Sequence, residues 1–305
     1  MNDVYLPFDE RKPDFQYKSA ISLILNQGLV STAPSGVDTI TYPGIQMRFS
    51  VENGCPLITE RNMAPARKNS PTIWRQAIGE ITAFINGART HEEISKYGCH
   101  WWKHFLTDEK CARRNLAPGD NGPGSYGAAF HDFPDPDSAT GGFNQFGNLI
   151  KQMKERPDLK THLVTPWVPQ YVFRHSGIDQ KVVICPCHGW LQFMVFGDKL
   201  ILHMKQRSGD FPVGVPSNMV QYFALLLAVA NILGLIPYQY IHYVVNAHIY
   251  ADQIDQAKAI LGRETRPFPK LVLKNEITDL FDLRHTDFEI SEYYPGEEMG
   301  FPVTV

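Results

Sequence analysis

At 305 residues, 43% hydrophobic and 20% charged, the chain has ordinary globular composition and enough length to bury a sizeable core. Its net charge of −3 lacks the basic surplus of a nucleic-acid binder, which disfavours a polymer partner, whereas a small anionic ligand needs only a local basic pocket. The cysteines Cys55, Cys99, Cys111, Cys185 and Cys187 are few and unevenly spaced. They suit a reducing, cytoplasmic compartment and give no zinc pattern, and the polar N-terminus is not a signal peptide.

In chain order, residues 16–27 read as a first helix stopped by Gly28. Ser70-Pro71 reads as a cap followed by proline in the first turn. The apolar positions Trp74, Ala77, Ile78, Ile81, Phe84 and Ile85 then recur at helical spacing up to Gly87, with Glu80 among them. A third helix covers about 144–155, with Phe146, Leu149, Ile150 and Met153 on one face. The stretches 162–167, 181–185, 190–196 and 199–206 are rich in β-formers, and Gly197-Asp198 joins the last two as a two-residue hairpin.

The segment Met219–Ile236 is almost continuously apolar but contains Gln221, Tyr222 and Asn231. It is read as a buried core helix, 217–233, rather than a membrane span. A strand at 238–250, a helix at about 251–262 and a short strand near 270–274 complete the series. Without regular strand–helix alternation, these elements imply one α+β domain over residues 1–305, with a mixed sheet packed by helices.

Several residues stand out as carriers of chemistry. Cys187 lies between strands, before His188; a nucleophilic thiol needs cationic or hydrogen-bonding help, and the plainer reading is a buried structural cysteine beside a surface histidine. Gln206-Arg207-Ser208-Gly209-Asp210 clusters an arginine, a hydroxyl and a carboxylate where a strand gives way to a turn and a helix start, a place that suits an anion or a simple polar loop. Asn218 offers the donor–acceptor pair that matches a pyrimidine edge, or else a helix cap. His248 and Tyr250, two apart on a strand, share a face that suits a sugar hydroxyl or plain solvent. Glu80 is either a buried acid/base or the wet edge of its helix.

Taken together, Pro186-Cys187-His188, Gln192-Phe193, Gln206-Arg207-Ser208-x-Asp210, Gly214-x-Pro216-x-Asn218, His248-x-Tyr250 and Arg266-Pro-x-Pro-Lys270-Leu271 closely resemble the thymidylate synthase superfamily. Weaker matches run through residues 44–49, the Glu80 helix, Tyr126-Gly127 and the terminal FPVTV. The resemblance implies that the Cys187 thiolate adds to carbon 6 of a pyrimidine nucleotide, and that carbon 5 then attacks the methylene of 5,10-methylenetetrahydrofolate. It places Cys187, Glu80, Arg207 and Tyr126 in catalysis. It gives Asn218 the base, His248 and Tyr250 the sugar, and Arg207 and Ser208 the phosphate. Gln206 joins the nucleotide side, as does Lys160 donated across a homodimer. Asp210, Trp102, Gly214 and Val305 fall to the folate.

The chain departs from the family pattern where phosphate arginines are expected: Ser31–Gly36 replaces one arginine loop, and Lys160-Thr161 replaces an arginine pair. Phosphate affinity is then expected to come from Arg61, Arg67 or Lys68, or to be weaker. Gly189-Trp190 and the stretch Cys99–Lys103 are also unusual. With Lys103 and His104 polar beside Trp101-Trp102, the expected product is hydroxymethylated dUMP or dCMP, made for modified bases in a bacterial or phage-infected cell. Methylation is the second expectation, and an inactive nucleotide- or RNA-binding relative is the rival of another class.

Overall fold

The computed structural model of the chain describes residues 4–33, 36–65, 70–139 and 141–304. Helix α1 (Gln16–Gln27) buries Tyr17, Ala20, Ile21 and Ile24, spaced three and four apart, and ends at Gly28 as the sequence implies. Each of those isoleucines, fully buried, contributes about 1.5–3 kcal/mol. Strand β1 (Leu29–Thr32) and the 13-residue β2 (Asp38–Ser50) follow. Helix α2 (Ile73–Ile85) starts at Thr72, so Ser70 is not its cap. Short helices then lead to α3 (Tyr126–His131) and to α4 (Gln145–Glu155), which Asn144 caps by accepting from Gly147 N–H at 2.8 Å.

Two of the four expected central strands are altered. Only Leu163–Val164 of the stretch 162–167 pairs as a strand (β3). Beyond it the Gln145 side chain takes the place of a strand, donating to Thr165 O at 2.7 Å and accepting from Thr165 N–H at 2.9 Å. Residues 181–185 form no strand. Asn121 satisfies their backbone instead, accepting from Val183 N–H and, through its side chain, from Ile184 N–H. Local β propensity is overridden in both places by a tertiary amide.

Strand β4 (Trp190–Phe196) and β5 (Lys199–Asp210) form the expected hairpin. At its tip Gly197 has φ +62°, which only glycine adopts freely at the first position of a type II′ turn. The strand β5 runs four residues beyond the expected end, carrying Arg207, Ser208 and Asp210 as strand residues. Helix α5 (Gly214–Leu233) then crosses to β6 (Ile236–Tyr250), parallel to β5. α5 is apolar on all sides and is the core helix, with 83% of its most apolar 18-residue stretch buried. Helix α6 (Ile254–Leu261) and the small antiparallel pair β7 (Lys270–Leu273) and β8 (Phe288–Ser291) complete the described fold.

The six-stranded sheet has the order β1-β2-β6-β5-β4-β3, antiparallel except for β5 and β6. This is the α+β architecture with a mixed sheet that the sequence implies. Its inner face, with Leu202, Met204, Tyr240 and Val244 buried, packs on α5 and α1, and α2 packs on α5 in turn. Its outer face carries Trp190, Phe196, Lys205, Arg207, Tyr243 and Val245, all exposed. The register sets Asp210 opposite His248 and Ser208 opposite Asn246, which gathers the expected ligand-binding residues at one end of the sheet.

Candidate active site

The loop entering β4 sets Cys187. Its N–H donates to Tyr126 Oη at 2.6 Å, and its carbonyl accepts from Arg207 N–H at 2.7 Å. Tyr126 is itself fixed by flat stacking on Phe84 of α2, with ring centroids 4.5 Å apart. The guanidinium of Arg207 donates from Nη2 to Cys187 Sγ at 3.3 Å and to Cys185 O at 3.2 Å, and from Nε to Pro186 O at 2.7 Å. Nη1 makes no hydrogen bond among the described residues, which leaves it to meet an anion. Cys187 and Arg207 line a cavity of about 380 Å³ together with Trp167, Trp190 and Lys205, within the range of small-molecule sites.

Burial pushes the Cys187 thiol above its ordinary value, and Arg207 pulls against that shift without cancelling it. Arg207 does act in the direction expected of a guanidinium beside a thiol, lowering the thiol pKa. The cation is in place, but desolvation is the larger effect.

His188 reverses the plainer reading, because it is the histidine that is buried. Its Nδ1 bonds Tyr222 Oη at 2.7 Å, and burial lowers its pKa to about 3, so the ring is neutral. Its Nε2, 3.9 Å from Glu80 Oε2, is thus not an ion-pair partner. The following Gly189 explains an unusual residue. With φ +93° and an added Cβ only 2.9 Å from Tyr222 Oη, no other side chain fits without moving the tyrosine that holds His188.

Glu80 is 6% exposed, so it is not the wet edge of α2. Its Oε1 accepts from Trp101 Nε1–H at 2.8 Å and from Trp102 Nε1–H at 2.7 Å. Burial raises its pKa, opposed by those two indoles and by the neighbouring Gln221 amide. Trp102, expected at the folate, is 5% exposed and serves Glu80. Lys103 and His104, expected to bring polarity to the site, are exposed.

Asn218 lies in the second turn of α5, too deep to be a cap. Its Oδ1 accepts from Gln206 Nε2–H at 3.1 Å, and its Nδ2 donates to Gln221 Oε1 at 3.0 Å. Gln206 Oε1 meets His242 Nε2 at 3.0 Å, and His242 is fully buried and neutral, its pKa lowered to about 3 by burial. His248 and Tyr250 do share a side, their rings edge-to-face at 5.0 Å. Ser208 is half-buried, and Gly214 is the first residue of α5.

Asp210 is raised to about 6 by burial, opposed by hydrogen bonds from Gln253 and Val213. Gln253 donates both to Asp210 Oδ2 and to the Pro302 carbonyl, each at 3.0 Å, which ties the C-terminal segment to the carboxylate. Arg61, a candidate phosphate cation by sequence, is turned inward. It is buried, donates to Pro212 O at 2.8 Å and stacks over Phe301. Arg67, Lys68 and Val305 lie outside the described residues. Lys160 is exposed, absent from the cavity wall of its own chain, and its carbonyl accepts from Gln192 on the outer sheet face.

Gln221, Tyr222, His242, Gln253, Trp167 and Lys205 were not singled out from the sequence. Gln221 and Tyr222 were visible only as polar breaks in an apolar helix, which is the signal that buried polar groups leave.

A family model described as thymidylate synthase matches residues 15–305. A curated thymidylate synthase of Equine herpesvirus 2 (strain 86/87) is 31% identical over 301 residues, covering 96% of this chain and 98% of the relative.

Proposed function

Since this chain belongs to the thymidylate synthase family, whose members use 5,10-methylenetetrahydrofolate as cosubstrate, we propose that it methylates carbon 5 of dUMP through a covalent Cys187 adduct. The observation that carries this reading is the Cys187 thiol held by Arg207 in the cavity wall, with Glu80 buried behind its neighbour His188. Carbon 5 of uracil is a poor nucleophile until the thiolate adds beside it. Arg207 stabilises that thiolate and turns Nη1 toward the phosphate, with Ser208 beside it. Tyr126 holds the cysteine backbone. His248 and Tyr250 take the sugar, and Glu80 handles the protons that carbon 5 and the ring carbonyl exchange.

The folate supplies the one-carbon unit and, for a methyl product, the hydride. The residues fit it: Asp210 is a buried acceptor near neutral pKa, and Gln253 links it to the C-terminal segment that would close over the ligand. Uracil is favoured over cytosine by the orientation of the Asn218 amide, whose oxygen is turned toward Gln206 and whose nitrogen is turned toward Gln221.

A hydroxymethyl product, formed when water intercepts the one-carbon unit, is the second reading; Lys103 and His104, the polar neighbours that motivate it, are exposed, and both tryptophans donate to Glu80. Incubation with dUMP and the folate should yield stoichiometric dihydrofolate, read by absorbance, and a product of the mass of the methylated nucleotide. Tetrahydrofolate with a product heavier by one formaldehyde unit would overturn the methyl assignment and leave the covalent chemistry standing.

The enzyme is proposed to act as a homodimer in a reducing cytosol, where its five free thiols persist. The outer sheet face leaves the large apolar side chains Leu163, Trp190, Phe196, Tyr243 and Val245 exposed. Lys160 lies beside that face through Gln192, and it is the residue proposed to serve a partner's phosphate site. Sedimentation should give a dimer at micromolar concentration, and a fully active monomer would contradict this.

A further inference from the structure

Beneath Asn218 a file of amide groups runs through the core toward Glu80. Gln206 donates from Nε2 to the Ser208 backbone carbonyl at 3.0 Å and to Asn218 Oδ1 at 3.1 Å. Asn218 donates from Nδ2 to Gln221 Oε1 at 3.0 Å. Gln221 is fully buried and its Nε2 has no hydrogen bond of ordinary length, yet it lies beside the Glu80 carboxylate and favours its charged form.

This file has one polarity. A backbone carbonyl only accepts, so Gln206 must turn its NH₂ to Ser208. The second hydrogen of that NH₂ needs an oxygen, which fixes Asn218 Oδ1 against it. Asn218 Nδ2 then faces Gln221, which must answer with its oxygen. The Gln221 NH₂ is left facing Glu80. Reversing any one amide sets two donors or two acceptors against each other in a buried site, where an unmet polar group is costly.

We propose that Gln221 is a positioning residue: its carbonyl locks the Asn218 amide to read a ring N–H beside a ring carbonyl, and its N–H steadies Glu80. In the locked state Asn218 keeps one N–H and one oxygen lone pair for the base. These complement O4 and N3–H of uracil. Cytosine presents an amino group and a bare N3, and would need the reversed amide. The inference rests on the reading of Asn218 as the base-contacting residue.

The test compares dUMP and dCMP binding, and the pH profile of kcat on dUMP, in the wild type and two variants. Gln221→Met has neither acceptor nor donor. Its dUMP:dCMP affinity ratio should fall about three- to tenfold, the effect of one hydrogen bond. Gln221→Glu keeps the oxygen toward Asn218 and loses the donor. It should keep the ratio within about twofold, while the Glu80 ionisation moves to higher pH because a second carboxylate now faces it. A purely structural role would separate neither the two readouts nor the two variants. Should Gln221→Met fail to fold, Gln221→Ser replaces it, since a hydroxyl both donates and accepts and frees Asn218 to turn. An unchanged ratio in the first variant, or an unmoved profile in Gln221→Glu, overturns the inference while dUMP binding by the wild type keeps the functional reading intact. A wild type that binds neither nucleotide overturns both.

Discussion

Replacing Cys187 by serine removes turnover, by roughly 10⁴-fold or more, as expected for loss of a covalent nucleophile. A serine hydroxyl has a pKa far above that of a thiol and meets no base here. His188, the nearest imidazole in sequence, is turned to Tyr222 and stays neutral. The rest of the site is untouched by the change. The backbone bonds from Cys187 to Tyr126 and Arg207 do not involve the side chain, and Arg207 keeps its bonds to Pro186 and Cys185. Nucleotide affinity, measured by calorimetry, should therefore remain within a few-fold of the wild type. Substantial activity in the variant would remove the covalent step from the account. The other four cysteines do not offer a substitute: Cys55, Cys99 and Cys111 are fully buried, and the Cys185 sulfur accepts from Gln180.

Glu80→Gln separates activity from stability. Glutamine has the same shape and still accepts from both indoles through its amide oxygen, but it carries no proton to exchange. The expected loss in kcat is about 10²- to 10⁴-fold, the usual contribution of a positioned acid or base. The stability effect has the opposite sign. Burial raises the folded-state pKa of Glu80 above its unfolded value. The folded chain thus binds the proton more tightly, and stability falls as pH rises from the unfolded value through the folded one, staying low above it. Glutamine removes that cost. At pH 8 the variant should melt at the same temperature as the wild type or higher, and the gain should vanish in acid. Equal melting-point losses at every pH would mean that Glu80 serves mainly to hold the fold.

The longer helices were legible because their apolar spacing is set by local geometry: α1 and α4 lie within a residue of the expected spans, and β4 matches its span. The two altered central strands share one cause. At 162–167 and 181–185 the residue types favour strands, but Gln145 and Asn121 from distant parts of the chain take over the backbone. The long β2, absent from the expected elements, alternates clearly, with Ile45, Met47 and Phe49 inside and Gln46 and Arg48 outside, the period-2 signal of a half-buried strand.

In the site, the sequence named Cys187, Glu80, Arg207 and Asn218 by their order along the chain. It did not reveal what each one touches. That both tryptophans converge on one oxygen of Glu80, or that Gln253 bridges Asp210 and Pro302, depends on contacts 21 to 49 residues apart along the chain. Residue types alone also misjudged burial, since His188 is inside while Lys103 and His104 are outside.

The central claim is that Cys187 forms a bond to carbon 6 of the base and that carbon 5 then takes the one-carbon unit. A 5-fluorinated dUMP tests both steps at once, because fluorine replaces the hydrogen that must leave carbon 5 as a proton. The wild-type enzyme, incubated with this nucleotide and 5,10-methylenetetrahydrofolate, then digested and weighed by mass spectrometry, should yield the peptide containing Cys187 with nucleotide and folate both attached. Unmodified Cys187 peptide under saturating ligands, or the adduct on another residue, would contradict the account.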